Sequence, residues 1–179
     1  MLKLGCLIES YLEKEWMEMG WSLTNFSGDE IIEIALQMEE SGKLFYEKAM
    51  SCVEDGSVHE TLKYLAQAET QHIHKFTQLG EEFGHQFYPN ERYVGEYGDY
   101  VKSLVNSHIF KISEVEDIIS GIKNDQDILR IAIGFEKDSI VIFQEFKNAV
   151  NQAGAETLEK LINEEREHIK IISTLFKKI

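Results

Sequence analysis

Apolar residues recur every three or four positions along most of this chain, the period of one face of an α-helix. Residues 2 to about 19 show it as Leu4, Ile8, Tyr11 and Leu12, with Trp16 further on, and predict a helix docked on the main body or on a second subunit. Ser27-Gly28-Asp29-Glu30 is a Ser-x-x-Glu capping box in front of an apolar run. It predicts a first long helix from residue 27 to about 54, with the stripe Ile32, Ala35, Glu39, Gly42, Tyr46, Ala49 and Met50. Asp55-Gly56 breaks the pattern, and Ser57-Val58-His59-Glu60 is a second capping box. The second long helix is predicted to run to about Phe83, with the stripe Leu62, Leu65, Glu69, His72, Phe76, Leu79 and Phe83. So short a connection makes these two helices antiparallel neighbours.

The pattern then weakens. Residues 84 to about 125 hold Tyr88-Pro89-Asn90, glycines and several tyrosines. A short helix is predicted from Tyr100 to Asn106. Another is predicted after a third capping box, Ser113-Glu114-Val115-Glu116, ending near Lys123. A connection of roughly 40 residues is long for a loop and suits a crossover that travels the length of a bundle. A third long helix follows from about Gln126 to Gln152, with the stripe Leu129, Ala132, Ile133, Glu136, Ile140, Phe143 and Val150. After a break at 151–154, the fourth runs from about Ala155 to near the end, with Leu158, Leu161, Ile162, Glu165, His168, Ile169, Ile172 and Leu175 inward. The expected fold is therefore all-α: a four-helix bundle over residues 27–179 with a long crossover between helices 2 and 3, and an N-terminal helical extension over 1–26.

Six of these inward positions are not apolar. Glu39 and Glu136 each interrupt a stripe, and Glu69-Thr70-Gln71-His72 and Glu165-Arg166-Glu167-His168 each place a carboxylate and an imidazole three residues apart on one helical face. The halves of the chain repeat: Glu39 and Glu136 are 97 positions apart, and both Glu69 with Glu165 and His72 with His168 are 96 apart. Ionised groups are costly in an apolar core unless they are paired or bound to a metal. No Lys or Arg lies near the middle of these stripes to pair with them. Of the other histidines, His59, His74, His85 and His108 read as surface or crossover residues. His74 points about 200° away from His72 on its helix.

Composition narrows the classes. The 179 residues are 43% hydrophobic with one proline, enough for a substantial helical core. A formal net charge of −14 and a pI near 4.8 argue against nucleic acid and anionic membrane as partners. Two distant cysteines, Cys6 and Cys52, with no CxxC, argue against a disulfide framework or a thiolate metal site. The first 20 residues make a poor signal peptide, and no stretch approaches the roughly 18 apolar residues of a membrane span. The expectation is a reduced, cytoplasmic protein.

Four carboxylates and two imidazoles are ligands that ferrous iron and Mn²⁺ accept, and four carboxylates balance two divalent cations. A glutamate from each of two helices plus Glu-x-x-His from each of the other two is the di-metal pattern of ferritin-like bundles. Over about residues 27 to 179 the sequence resembles the rubrerythrin branch of that superfamily. Glu39 with Phe45-Tyr46, Glu69-x-x-His72, Glu136 in GFEKDSIVIF and Glu165-x-x-His168 are similar to the family's four ligand-bearing helices. The resemblance implies a ferritin-like bundle in which Glu39, Glu69, His72, Glu136, Glu165 and His168 hold two iron ions, with Mn, mixed Fe/Zn or Zn as alternatives. It implies that Glu69 and Glu165 bridge, and that Tyr46 hydrogen-bonds a ligand carboxylate from outside the ligand set.

The activity this implies is reduction of H₂O₂ or O₂, or oxidation of Fe²⁺, with non-catalytic iron binding, buffering or sensing as the alternative. A homodimer is expected. Two departures from the family stand out: Ser139 occupies the place of a further glutamate three residues after Glu136, and the paired CxxC motifs of a C-terminal rubredoxin domain are lacking. Electrons are therefore expected from a separate donor protein.

Overall fold

Four long helices meet as two hairpins, with their apolar stripes turned toward one another. The computed structural model describes residues 28–83, 100–101, 103–105, 112–148 and 150–179. The expected N-terminal helix, Ser27 of the first capping box, and most of the expected crossover with Tyr93 and Tyr97 lie outside them. Helix α1 is Gly28–Ala49, α2 Gly56–Phe83, α3 a short Val115–Ser120, α4 Asp125–Lys147 and α5 Gln152–Phe176. Single 3-10 turns, Met50–Cys52 and Ile112–Glu114, follow α1 and precede α3. Among the described residues there is no strand, and no helix is long and apolar enough to cross a membrane.

Helix α1 packs along α2 and α4 along α5, and the hairpins join through α1 on α4 and α2 on α5. The apolar residues fall into two clusters at opposite ends. One unites the start of α1 (Ile31, Ile34, Ala35), the end of α2 (Phe76, Leu79), the end of α4 (Ile142, Phe143, Phe146) and the start of α5 (Leu158, Leu161). The other unites the end of α1 (Phe45, Tyr46, Ala49), the start of α2 (Val58, Leu62, Leu65), the start of α4 (Ile128, Leu129, Ala132) and the end of α5 (Ile172, Leu175). Each helix therefore runs antiparallel to both of its neighbours, and α2 and α4 run the same way. At 1.5 Å per residue, α2 is about 42 Å long. The chain must recover that length between Phe83 and Asp125, as the crossover reading expected. Val101 packs into the first cluster and Val115 into the second, so the described parts of the connection touch both ends.

The helix starts differ from the sequence reading in an instructive way. At α2 the cap is Asp55: its Oδ1 accepts from the backbone N–H of Ser57 (2.7 Å) and Val58 (3.2 Å). That is the geometry of an N-cap satisfying the second and third helical donors. Ser57 is already inside the helix, so the second capping box does not form. The third does not form either, because α3 begins at Val115 after a 3-10 turn with no side-chain cap. Helix α4 is capped by Asn124, which accepts from Asp127 N at 2.9 Å, and α5 by Asn151, which accepts from Gly154 N at 2.9 Å. The fourth helix accordingly starts three residues before the predicted Ala155. Asp125 also accepts from the backbone N–H groups of Glu54 and Asp55, tying the first hairpin's turn to the start of α4.

Candidate metal centre

Between the two apolar clusters lies a polar layer made of the six inward residues. Glu39, Glu69, His72, Glu136, Glu165 and His168 are all buried, none more than 5% exposed. Each helix delivers its share because the stripe that packs into the core passes through the layer at mid-height: Glu39 from α1, Glu69 and His72 from α2, Glu136 from α4, Glu165 and His168 from α5.

The donor atoms converge in two groups, Glu39, Glu69, His72 and Glu165 in one and Glu136, Glu165 and His168 in the other, with the atoms of each group within 4.8 Å of one another. Only Glu165 belongs to both. Its Oε1 lies 2.9 Å from His72 Nδ1 and its Oε2 lies 2.8 Å from His168 Nδ1. The two imidazoles stack across it at 5.7 Å between ring centres. Of the two glutamates expected to bridge, Glu165 is the one shared by both groups, and Glu69 belongs to the His72 group, its Oε2 at 3.4 Å from Nδ1. Glu39 Oε2 is 3.1 Å from His72 Nδ1, and Glu136 Oε2 is 3.3 Å from His168 Nδ1. Tyr46, fully buried on α1, donates its hydroxyl to Glu136 Oε1 at 2.6 Å, the contact to a ligand-set carboxylate that the resemblance implied.

Burial makes this layer an electrostatic problem. It pushes the carboxyls of Glu39, Glu69 and Glu136 above the ordinary range, and the neighbouring glutamate charges push Glu69 and Glu136 further. Glu165 goes the other way: its contacts with Glu136 and with both imidazoles outweigh its burial and hold it ionised. Burial alone would lower His168, but its hydrogen bonds to Glu136 and Glu165 win and push it up to about 10. His72 is raised in the same way by Glu165, Glu39 and Glu69. Without a cation the layer is thus held together by protons. Even so, Glu39 Oε1, Glu69 Oε2 and Glu165 Oε1 are buried with no hydrogen bond, the last two close to His72 but out of line for one. Buried carboxylate oxygens that accept no hydrogen bond cost free energy.

The sequence reading missed three residues at the rim, Glu164, Lys75 and Tyr64. Glu164 Oε2 lies 3.0 Å from His72 Nε2, and Lys75 Nζ donates to both Glu164 oxygens at 2.7 Å. Tyr64 of α2, half exposed, stands edge-on to His168 at 5.8 Å. Lys75 shares a face with His72 at i+3, but Glu164 sits in an acidic run that reads as solvated surface. His74 is exposed, as expected.

No family model matches the chain, and no solved structure does. Over 52 residues, 29% of its length, the chain is 38% identical to an uncharacterized protein of Archaeoglobus fulgidus, and the match covers 82% of that protein. The chain belongs to one family with it.

Proposed function

We propose that this chain is a ferritin-like, rubrerythrin-type non-haem protein whose buried layer holds two divalent metal ions, iron first among them, and that it reduces peroxide or O₂ or oxidises Fe²⁺. The observation that carries the reading is the convergence of four buried carboxylates and two buried imidazoles from four helices, three of the carboxylate oxygens lacking any hydrogen-bond partner. Two cations neutralise four carboxylates, and hard oxygen donors with two imidazoles and no thiolate suit iron or manganese. Manganese, zinc and a mixed iron–zinc pair remain alternatives for the same ligands.

Bound there, a pair of iron ions supplies the electrons that an O–O bond takes up on reduction. The chain's own contribution is geometric. Glu39, Glu69, His72 and Glu165 would hold one ion, and Glu136, Glu165 and His168 the other. Glu165 spans the two halves, and Tyr46 fixes the orientation of Glu136, an outer contact of the kind that aims a ligand. The apolar clusters above and below exclude bulk water, which strengthens every charge interaction in the layer. Re-reduction relies on a separate electron-donor protein, and the working unit is a homodimer.

Metal analysis of the isolated protein, followed by anaerobic Fe²⁺ loading and stopped-flow mixing with H₂O₂ or O₂, tests the reading. Two metals per chain and rapid oxidation by at least one oxidant are expected. Absence of an optical change with either oxidant removes the oxidoreductase assignment. Ser139, where the family carries a further glutamate, favours one second reading, a centre that binds and buffers iron without turnover. Two metals bound with no turnover would select it.

A further inference from the structure

We propose that the two halves of the centre are unequal by construction, and that the Lys75–Glu164 couple makes the His72 half the first and tighter cation position. The inference rests on the metal-binding reading above and adds an order of loading and two positioning residues to it.

Three observations carry it. First, both ring nitrogens of His72 are engaged: Nδ1 faces the carboxylates of the layer, and Nε2 lies 3.0 Å from Glu164 Oε2. Glu164 is itself held by Lys75, at 2.7 Å from each oxygen. A carboxylate on the far nitrogen fixes the tautomer that leaves Nδ1 free for a cation, holds the ring plane and raises the basicity of the ligand. The internal repeat puts Ala68 where Glu164 would have its counterpart, so the corresponding carboxylate for His168 is missing from the sequence. The further neighbour of His168 is the ring edge of Tyr64, which offers no charge.

Second, the donor count differs. Four residues, His72 included, make up one group and three, His168 included, the other, with Glu165 common to both. Third, the carboxylate oxygens that accept no hydrogen bond are on one side. Glu39 Oε1, Glu69 Oε2 and Glu165 Oε1, the three without hydrogen bonds, all belong to the His72 group. Both Glu136 oxygens are already engaged, Oε1 by Tyr46 and Oε2 by His168. A cation entering the His72 half displaces the His72–Glu39 hydrogen bond but finds three carboxylate oxygens that accept none, whereas in the other half both Glu136 oxygens are already committed.

Calorimetric titration of the metal-free full chain with Zn²⁺ tests this without reference to activity. The wild type is expected to show two binding events whose Kd values differ at least tenfold, a separation we set as the threshold. His168→Ala should delete the weaker event and keep the tighter one. Glu164→Ala should weaken the tighter event by about 10- to 100-fold while leaving the weaker one in place. Glu164→Gln, which keeps an acceptor for Nε2–H, should restore most of the loss. Glu164 is partly exposed, and far-UV circular dichroism verifies that each variant is folded. Two equal events, loss of the tighter event in His168→Ala, or a tight event unmoved in Glu164→Ala would each overturn the inference while leaving the two-metal reading intact. No zinc uptake at all would overturn both.

Discussion

A carboxylate at the centre of a helical bundle is costly unless it is compensated, and the individual residues of this layer make that cost measurable. Glu69 is buried among Glu39 and Glu165, with one oxygen unpaired. Replacing a buried charged group by an apolar one of similar size is often stabilising. Glu69→Met is therefore expected to raise the stability of the metal-free protein at pH 8 by about 1 kcal/mol, and to abolish the rise in Tm that the proposed metal binding should give the wild type. Thermal unfolding with EDTA and with Fe²⁺ or Zn²⁺ measures both, and a variant that still gains Tm from two metals would contradict the role given to Glu69. Tyr46→Phe removes only the hydroxyl that donates to Glu136 at 2.6 Å. Its expected cost is about 1 kcal/mol in urea unfolding with an unchanged slope, the net value of a typical internal hydrogen bond. At this scale the six layer residues were legible because a charged residue inside a 3.6-period apolar stripe violates the pattern around it. Glu164 violates nothing, since Glu164-Glu165-Arg166-Glu167 is ordinary surface composition. Its contact with His72 exists only once α5 lies against α2.

At the scale of elements, periodicity located the four long helices, and their ends followed competition between nearby caps. Ser57-x-x-Glu60 matches a capping box, yet Asp55, two residues earlier, accepts from two backbone donors and is itself anchored through its own N–H to Asp125. A carboxylate at the positive end of a helix also gains from the dipole, which a serine hydroxyl does not. Asp55→Ala is expected to cost about 1–2 kcal/mol and Ser57→Ala less than about 0.5 kcal/mol, both read from denaturant unfolding. Equal costs would return the cap to Ser57. The predicted stripes were narrower than the observed ones. In α4, Ile128, Phe135, Ile142 and Phe146 are buried, while the predicted Ile133 and Ile140 are only partly so. A helix touching two neighbours buries a wider face than a single line of i, i+3, i+4 positions can mark.

For the whole molecule, the protonation of the buried layer sets how stability depends on pH in metal-free protein. The carboxyls of Glu39, Glu69 and Glu136 bind protons more tightly folded than unfolded, so their contribution is present below the ordinary 4.5 and is lost as pH rises through their raised values. The contribution of His168 is full below 6.5 and is lost as pH rises toward about 10. Glu165, lowered in the folded state, acts oppositely, but only as pH falls below 4.5. Metal-free protein should therefore lose stability steadily from pH 6.5 to 10, and Glu69→Met should flatten that slope; urea unfolding in EDTA across this range measures it. On the proposed metal-binding reading, metal should reverse the dependence, because ligands must give up their protons to bind. Binding enthalpies measured in buffers of different ionisation heat should show net proton release, and apparent affinity should rise with pH. At a free metal concentration of about 100 times Kd the stabilisation is about 2.7 kcal/mol. Pairing of the helices was only partly legible. The short turn at Asp55-Gly56 and the break near Asn151 defined two hairpins, but their mutual placement was inferred from a resemblance.

What the sequence determined by itself was chemical and local: which faces are apolar, which six residues break them, and that the halves repeat about 96 positions apart. Each follows from the 3.6-residue period, which acts along one helix and needs no knowledge of its neighbours. The tertiary structure alone decided that Glu165 lies between the two imidazoles, that Glu69 stands on one side only, and that Lys75 and Glu164 back one histidine and not the other. These are relations between side chains as far apart in the chain as His72 and Glu165. They are set by the angle and height at which two packed helices meet, and a one-dimensional pattern carries neither.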